Sequence, residues 1–357
     1  MAAPYQITEE RIKKAIENLK AKDYLTETLP EDMEYIKVVG EEDNKILYTL
    51  AILSRFEDKP LHVLIIARSG IGKSYIQKMI LKLHPEEDWI RISSATKQVL
   101  YYVPKNAFVG KCISIDETSG VHEEAFYTVR TFKSEGKLEL LTTEKDANGA
   151  NHAKRKIVDG PVSILLSTTN FNSVDNETRS RMIVTYGDES DEQTKKIIDA
   201  EFFMNNTVEG QKRKKEIPVI LQKHKDMMFV LRETQNIEFV YENEELEKRV
   251  KLTDEDIQSR RNISLFTTMI RCIARTRYFR RQSETKDGKV KGKITKEDVE
   301  LAEKLIAKIL LNQTADIKGS TQDFYNKICI LVDSKRKNIP RNEQEFMGGE
   351  KYVSLQN

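Results

Sequence analysis

Residues 61–74 constrain the possible fold of this chain more than any other stretch. Leu61–Ile66 is a short apolar run with β-branched residues, which predicts a buried parallel strand. The next eight residues, Ala67-Arg-Ser-Gly-Ile-Gly-Lys-Ser74, match the phosphate-binding pattern G-x-x-x-x-G-K-[ST], with alanine at the first glycine. Tyr75–Leu83 predicts a helix. The pattern therefore lies between a strand and a helix, as a phosphate-binding loop requires.

The loop residues match the chemistry of a bound nucleotide. The glycines Gly70 and Gly72 let the backbone turn its N–H groups toward phosphate oxygens. Lys73 would reach the β- and γ-phosphates, and the Ser74 hydroxyl would ligate Mg²⁺. The alternative is a chance glycine-rich turn, which the flanking strand and helix disfavour. The candidate ATP-binding residues of the loop are Ser69, Gly70, Ile71, Gly72, Lys73 and Ser74.

Two further predicted strands end in polar residues. Lys111–Glu117 is an apolar strand that ends in two acids: Asp116 suits a partner of Mg²⁺, and Glu117 suits the base that orients the attacking water. Val162–Thr169 is another strand, and the Asn170 that follows it could hydrogen-bond the attacking water or the γ-phosphate. An acidic pair could also merely cap a helix. Together with the loop, however, these residues indicate an ATPase.

A basic hairpin is predicted between these two strands. Leu138–Glu144 and Ala153–Val158 read as extended arms around Asp146-Ala-Asn-Gly149, and Asn-Gly between such arms is a hairpin signal. Folding does not require the insertion, so we expect its basic residues to contact DNA. The alternative is a solvated hairpin. The basic residues near its tip are Lys145, Lys154, Arg155 and Lys156.

Three arginines are candidates for contact with phosphate. Arg181, and less readily Arg179, could project into the nucleotide of a neighbouring subunit as an arginine finger. The alternative is a surface arginine that caps a helix C-terminus. Arg261, near the start of a predicted helix through Phe279, could reach the phosphates of its own chain. The helix and the residues after it form the most basic region, and its lysines at 286–293 suggest a mobile loop.

Periodicity predicts the remaining elements. Ile7–Leu25 reads as an amphipathic helix capped at Thr8. Asn44–Phe56 reads as a helix that packs at the edge of the sheet. From Glu192 to about Met228 the chain reads as helical and highly charged, and its basic run Lys212–Lys215 reads as a solvated face. A fourth strand of the core is predicted at Asp88–Ser94, and a short extended piece at Ile237–Tyr241. Helices are predicted at Ala95–Val103, Glu123–Phe132, Ile294–Leu311 and Phe324–Val332.

Composition limits the classes of function. Charged residues make up 32% of the 357, but the net charge is only +2, so any DNA-binding surface must be local. The three cysteines, Cys112, Cys272 and Cys329, are far apart and form no Cys-x-x-Cys pair. This pattern excludes a cysteine zinc ribbon and a disulfide framework, and it favours a reducing cytoplasm. There is no apolar run of membrane-spanning length and no signal-peptide core. We therefore expect a soluble, cytoplasmic protein.

The order of these motifs resembles that of the AAA+ ATPases. Within them the chain is most similar to the minichromosome-maintenance-like helicase branch, and in particular to helicase-like modules of primase–helicase proteins from mobile elements and phages. The likeness covers roughly residues 40–311. The stretches that carry it are Gly40–Lys45, Ser69–Ser74, Glu177–Arg181, and Arg260–Phe266 with its continuation to Arg281.

The resemblance implies a fold, a domain order and an assembly. The fold is an α/β AAA+ P-loop NTPase with a central parallel sheet, a hairpin inserted before the first sensor and an α-helical lid. The expected domains are an N-terminal helical segment (1–39), the ATPase core (40–190), the helical lid region (191–312) and a tail that forms a partial winged helix (313–357). The assembly is a hexameric ring with ATP between subunits and the hairpins lining a DNA-bearing pore. Asn170 becomes the first sensor, Arg261 the second, and Arg181 the finger.

We therefore expect an ATP-hydrolysing, ring-forming DNA helicase or translocase that replicates a mobile or viral element, with a primase or replication initiator as a further partner. One alternative is an AAA+ remodeller or loader that acts on a replication protein. It would share every ATPase residue and differ in what its pore grips. A second alternative is a nucleotide-gated module that assembles on DNA without unwinding it. Glu117 disfavours this module, because simple ATP binding needs no such base.

Overall fold

The structure is a computed structural model, and it describes most of the chain. The described residues are 4–66, 73–92, 101, 103–115, 131–132, 134–145, 151–169, 174, 179, 181–250, 257–281, 284–286 and 289–314. The chain divides into two compact units, Met1–Ile306 and Ala307–Asn357, and everything below concerns the first, apart from the end of the last helix. The predicted helix Phe324–Val332, and all of Ala95–Val103 except 101 and 103, lie outside the described residues. Of Glu123–Phe132 only the last two residues are described, and both are helical.

Ten strands are described, and five of them form a parallel sheet. In chain order they are β1 (His62–Ile66), β2 (Trp89–Ile92), β3 (Lys111–Ile115), β4 (Lys137–Lys145), β5 (Asn151–Asp159), β6 (Val162–Thr168), β7 (Ile183–Tyr186), β8 (Glu238–Tyr241), β9 (Glu284–Lys286) and β10 (Lys289–Ile294). The parallel sheet has the order β2-β3-β6-β1-β7. The four strands predicted for it are confirmed, whereas β7, at one edge, was not predicted.

Nine helices are described around these strands. They are α1 (Glu9–Ala21), α2 (Leu29–Tyr35), α3 (Glu42–Leu53), α4 (Lys73–Lys82), α5 (Asp191–Asn206), α6 (Val208–Arg232), α7 (Glu244–Val250), α8 (Ile257–Thr276) and α9 (Lys296–Thr314). The Thr8 hydroxyl accepts the Arg11 N–H, so the predicted cap of α1 is confirmed. The predicted helix over Ile7–Leu25 is too long, because a separate π-helical turn, Tyr24–Thr28, follows α1 and leads into α2.

Helix α3 does not lie at the edge of the sheet, so that prediction is wrong. It packs against β1, β3 and β6 on one side and against α2, α4 and α8 elsewhere. Every residue from Asn44 to Leu53 is buried. A helix that is covered on all sides is apolar all round. The apolar residues at helical spacing therefore marked a central helix rather than an edge helix.

The helical structure predicted over 192–228 is confirmed, and it is divided between α5 and α6. The break is at Thr207, whose hydroxyl accepts the Gly210 N–H and caps α6. A Cβ on Gly210 would lie 2.1 Å from the Phe203 carbonyl oxygen, so only glycine allows α5 and α6 to pack this closely. The lysines at 286–293 do not lie in a mobile loop: β8, β10 and β9 form a three-stranded sheet, in that order, within the expected helical lid region.

The arginines of the most basic region pair with acids from distant parts of the chain. Asp23 contacts Arg277 at 2.5 Å and Arg280 at 3.3 Å, and Asp298 contacts Arg277 at 2.8 Å and Arg281 at 2.6 Å. Asp298 is fully buried. Charges removed from water are stable only when they are paired. These arginines therefore join the N-terminal segment to α9, rather than forming a basic surface.

A second group of ion pairs joins the residues just after α3 to distant parts of the chain. Glu57 accepts hydrogen bonds from Arg271 at 2.7 Å and from Arg275 at 2.9 Å. Arg55 is completely buried, and its Nη2 donates to Asp88 Oδ2 at 2.7 Å. Burial lowers the pKa of Arg55, and the neighbouring Asp88 carboxylate opposes that shift. The Arg55–Asp88 pair joins the end of α3 to the start of β2.

Two buried histidines lie near this group. His224 bridges the N-terminal segment and α6, because Nδ1 meets the Tyr24 hydroxyl and Nε2 meets Asp32 Oδ2, each at 2.9 Å. Nε2–H therefore donates to the carboxylate, and Nδ1 accepts from the tyrosine. His84 is fully buried, and neither of its ring nitrogens has a hydrogen-bond partner among the described residues. Burial lowers the pKa of both histidines, that of His84 further.

Candidate functional site

The carboxyl ends of β1, β3 and β6 lie side by side in the parallel sheet. Strand β6 is central, with Thr168 opposite Ile66 of β1 and Leu166 opposite Ile115 of β3. In the sequence, the phosphate-loop pattern continues directly from Ile66, and the acid pair continues directly from Ile115. Polar groups at the carboxyl ends of neighbouring parallel strands are where α/β sheets bind their ligands. The sheet order therefore places side by side the three strand ends that lead into the sequence motifs.

Most of the residues predicted to contact nucleotide after β1, β3 and β6 lie outside the described part of the chain. Ser69, Gly70, Ile71 and Gly72, together with Asp116, Glu117 and Asn170, are not described. Lys73 and Ser74 are the first two residues of α4, and only their backbone is described. The predicted strand before the loop and helix after it are confirmed. The loop therefore leads directly into the helix N-terminus, which favours bound anions.

The start of α3 lies near the carboxyl ends of these parallel strands. The Asn44 side chain donates to the Tyr186 carbonyl at 2.9 Å, and the Asp188 N–H donates to the Glu41 carboxylate at 2.8 Å. Gly40 and Glu41 both have left-handed backbone angles, with φ of 65° and 60°. Such a conformation costs a non-glycine residue free energy and persists only where surrounding contacts hold it. The stretch that carries part of the family resemblance is thus fixed beside the end of β7.

Arg181 lies at the other end of the strands, near their amino ends. It precedes β7, whose Ile183 is opposite Val63 near the start of β1. Its guanidinium donates to the Ser134 hydroxyl, and it borders a cavity of about 650 Å³. The cavity is also lined by residues before and at the start of β1 and β6, among them Pro60, His62 and Pro161. Arg179, the other candidate finger, accepts the Met182 N–H through its carbonyl oxygen.

Arg261 lies in the second turn of α8, but its side chain is outside the described part. Further along the same helix, Arg271 and Arg275 are held by Glu57. The role of Arg261 as second sensor therefore stays a prediction. Periodicity predicted the helix, but it gave no sign of the distant acid that pairs with its other arginines.

The basic hairpin is confirmed as a structural element. Strands β4 and β5 pair in antiparallel register from Lys137 opposite Asp159 to Lys145 opposite Asn151. At its base, Leu138 and Val158 are buried in the hydrophobic core of the sheet. Most of the outer part of β5 is exposed. The hairpin is therefore anchored at its base and projects from the domain.

The basic residues of the hairpin do not share one face. Side chains alternate along a strand, so Lys154 and Lys156 lie on one face and Arg155 lies on the other. Arg155 forms a bidentate contact with Glu139, with Nε at 2.5 Å and Nη2 at 2.7 Å from the carboxylate. Its hydrogen bond to Glu139 raises the pKa of Arg155, and the same bond lowers the pKa of the carboxyl. Both side chains are exposed, so the pair contributes little to stability.

Sequence reasoning missed one polar residue close to the site, the buried Gln77 of α4. Its Nε2 donates to the Ser114 hydroxyl at 2.8 Å and to the Leu165 carbonyl at 3.3 Å. A glutamine in an amphipathic helix gives no signal of burial from the sequence alone. The neighbouring Cys112 on β3 is also buried, which raises the pKa of its thiol to about 12. A thiol with that pKa is not a nucleophile at neutral pH.

The described ranges of the chain contain no group of three or more His, Cys, Asp or Glu side chains that could hold a metal ion. The Mg²⁺ site expected from Ser74 and Asp116 depends on side chains outside them. No helix in the described ranges combines the length and apolar character needed to cross a membrane.

A parallel five-stranded sheet, with the loop pattern between strand β1 and helix α4, defines an α/β P-loop domain. The chain belongs to the family described as the MTBMA_p00010 P-loop domain, whose model matches residues 9–229. The matched region starts at α1 and reaches into α6, so it includes the whole parallel sheet. No curated protein matches the chain. Membership of this family indicates a nucleotide-dependent activity.

Proposed function

We propose that the protein is an AAA+ ATPase that assembles as a hexameric ring and moves along DNA.

 The observation that carries the proposal is the sheet order, because β6 lies between the strand that precedes the loop and the strand that precedes the acid pair. This order would bring three groups together: the water activated by the acid pair, the phosphates bound by the loop, and the sensor Asn170 that follows β6. This order supports hydrolysis rather than simple nucleotide binding.

Each of these residues has a separate role in the in-line attack of water on the γ-phosphate. Lys73 binds the β- and γ-phosphates, and the backbone of Ser69–Gly72 surrounds them. Glu117 orients the attacking water and accepts its proton, while Asn170 hydrogen-bonds the water or the γ-phosphate. The hydroxyl of Ser74 and the carboxylate of Asp116 are oxygen donors of the kind that Mg²⁺ prefers. When bound, Mg²⁺ neutralises charge on the phosphate oxygens.

The position of Arg181 supports a ring. β7 has four residues, which span about 13 Å, and Arg181 precedes its first residue, so Arg181 is at least roughly that far from the carboxyl ends of the strands. Arg181 is therefore too distant to reach the nucleotide held by its own loop. It borders a cavity at the amino edge of the sheet, where the nucleotide-bearing edge of a second copy could approach. Arg181 then stabilises the transition-state charge of the neighbour's nucleotide, and Arg261 contacts the phosphates of its own.

The projecting hairpin supports DNA as the substrate. Lys154 and Lys156 share one face of β5, which suits contact with successive phosphates along a strand, whereas Arg155 faces Glu139. Lys145 is opposite Asn151, next to the tip. A primase or replication initiator is the further partner that we propose, on the basis of the family resemblance alone.

Replacing both Lys154 and Lys156 with alanine is expected to weaken DNA binding at least tenfold and to reduce the salt dependence of binding by about two phosphate contacts. Arg155→Ala is the matched control. It removes one positive charge from the same strand, but from the opposite face, and it should have a smaller effect. Fluorescence anisotropy with labelled single-stranded DNA at several salt concentrations measures both quantities. Equal effects of the lysine pair and of Arg155 would contradict the two-face assignment.

The proposed function is tested by ATP turnover, with and without single-stranded and forked DNA, in the wild type and in Glu117→Gln. We expect DNA to stimulate turnover, and we expect the variant to bind ATP but lose turnover by a factor of about 100 or more. Mixing wild type with Arg181→Ala should reduce turnover by more than dilution alone, because each finger serves a neighbour. Turnover that DNA leaves unchanged would contradict the DNA motor.

One observation favours the alternative of a remodeller that acts on another protein. Leu141 is 70% exposed on the projecting hairpin, opposite Arg155. Apolar residues on a pore-lining element suit a polypeptide substrate better than DNA. Leu141→Ser separates the two functions: it should leave DNA-stimulated turnover intact in a DNA motor, and it should impair turnover stimulated by a protein in a remodeller.

A further inference from the structure

The buried amide of Gln77 connects three elements of the candidate site. Gln77 is 1% exposed, and its Nε2 donates to Ser114 Oγ at 2.8 Å and to the Leu165 carbonyl at 3.3 Å. Ser114 and Leu165 are directly opposite each other on β3 and β6. One side chain of α4 therefore binds both strands that lead into the acid pair and the sensor.

The position of Gln77 in α4 relates this contact to the nucleotide. Gln77 follows Lys73 by four residues and Ser74 by three, and residues with those spacings share one face of a helix. On β3, Ser114 precedes Asp116 by two residues and Glu117 by three. The amide is therefore only one helical turn from the phosphate-binding residues and about one strand repeat from the acids.

The orientation of the amide is determined by its surroundings. The Leu165 carbonyl can only accept a hydrogen bond, so the nitrogen of the amide, rather than its oxygen, must face it. The Oε1 atom is then buried, and it has no hydrogen-bond partner in the described part of the chain. An unsatisfied buried acceptor costs free energy, whereas a leucine of similar size would avoid that cost. The glutamine is thus unfavourable for packing alone.

We infer that Gln77 is a positioning residue, which fixes the helix carrying Lys73 and Ser74 at a set distance from the strands that carry Asp116, Glu117 and Asn170. This inference rests on the proposed hydrolysis of ATP. In this role the amide binds the two strands and not the nucleotide. It acts by preventing α4 from sliding against β3 and β6, which apolar contacts alone permit more readily. Displacements of about 1 Å between reacting groups can reduce a rate by a factor of about 100.

The test compares Gln77→Leu, Ser114→Ala and the double variant of the full chain. Gln77→Leu is expected to lower kcat at least tenfold while the Kd for MgATP changes less than threefold. Ser114→Ala should have a smaller effect, because the amide keeps its bond to Leu165. The double variant should resemble Gln77→Leu, since both substitutions remove the same contact. Ser163→Ala, which alters another buried hydroxyl of β6 near the far end of the strand, is the control and should retain wild-type kcat.

Three outcomes would overturn the inference: an unchanged kcat in Gln77→Leu, a fall equal to that of Ser163→Ala, or additive effects in the double variant. If the wild type binds ATP but does not hydrolyse it, the proposed function fails separately. The readout is then the gain in ATP affinity that Mg²⁺ provides, which depends on how Ser74 and Asp116 are placed. We expect a smaller gain in Gln77→Leu than in the wild type, and equal gains overturn the inference. A wild type that does not bind ATP overturns both.

Discussion

Asp88→Asn is expected to lower the free energy of unfolding by about 3 kcal/mol or more, because it leaves a buried guanidinium without its carboxylate. Arg55 is completely buried, and Asp88 is the acid that pairs with it, at 2.7 Å. Asp88 also contacts Arg232 at 3.1 Å, so two cations lose one partner. The substitution hardly changes side-chain volume, so the loss reports the charge rather than a cavity. Urea unfolding measures it.

The chain provides both a probe and a control for this experiment. Trp89, the single tryptophan, follows Asp88 directly, so its fluorescence reports unfolding at the site of the change. Glu86→Gln alters an exposed acid two residues away, whose contact with Lys225 is 3.6 Å long. Exposed pairs contribute between 0 and about 1 kcal/mol, so this control should be close to wild type. If both variants lost the same stability, the buried pair would not be the cause.

Stability is expected to fall as the pH drops below about 6.5, because His84 and His224 are buried in their neutral form. Their folded-state pKa values lie below the unfolded value of 6.5, so the unfolded chain takes up protons first. The contribution is therefore complete above pH 6.5 and is lost as the pH falls through the folded-state values. Each histidine adds a slope of at most about 1.4 kcal/mol per pH unit. Urea unfolding at pH values from 7.5 to 4.5 measures the summed contribution of the two histidines to the free energy of unfolding.

Substitution separates the histidines from the acids. Asp23 and Asp32 also have lowered pKa values, from 3.8, so their contribution is lost only at more acidic pH. Between about pH 5 and 6.5, the slope should therefore come from the histidines. His84→Leu should flatten it, while His152→Gln, at an exposed position of β5, should leave it unchanged. An unchanged slope in His84→Leu would show that this ring is already protonated, or accessible to protons, in the folded chain.

The elements that the sequence predicted well are those with strong local signals. β1, β3 and β6 are continuous apolar runs, and the hairpin has the Asn-Gly signal between extended arms. β7 was missed because its four residues follow a polar stretch and give no periodic pattern. The break at Thr207 was missed because the charge pattern of α5 continues into α6. The position of α3 depends on what covers it, which no local pattern contains.

In the candidate site, too, features with a local sequence signal were predicted and features that depend on distant contacts were not. The strand and helix on either side of the phosphate-loop pattern were predicted correctly, since that motif ties a local sequence to a local structure. The separation of Lys154 and Lys156 from Arg155 follows from strand alternation and could have been derived once both arms were assigned. The acids that pair with the arginines of α8 and with Arg277 just after it could not be predicted, because Glu57 and Asp23 are more than 200 residues away from them in sequence.

The links between the N-terminal segment and the later helices have a consequence for synthesis of the chain. Asp23 pairs with Arg277, 254 residues later, and Tyr24 meets His224, 200 residues later. At about 5–20 residues per second, a ribosome needs roughly 10 to 50 seconds to supply the missing arginine after the aspartate. Throughout that interval the nascent segment carries its acids and apolar face without their final contacts. The segment around Asp23 and Tyr24 is therefore synthesised long before its native environment is complete, and a chaperone that shields it would act during this interval.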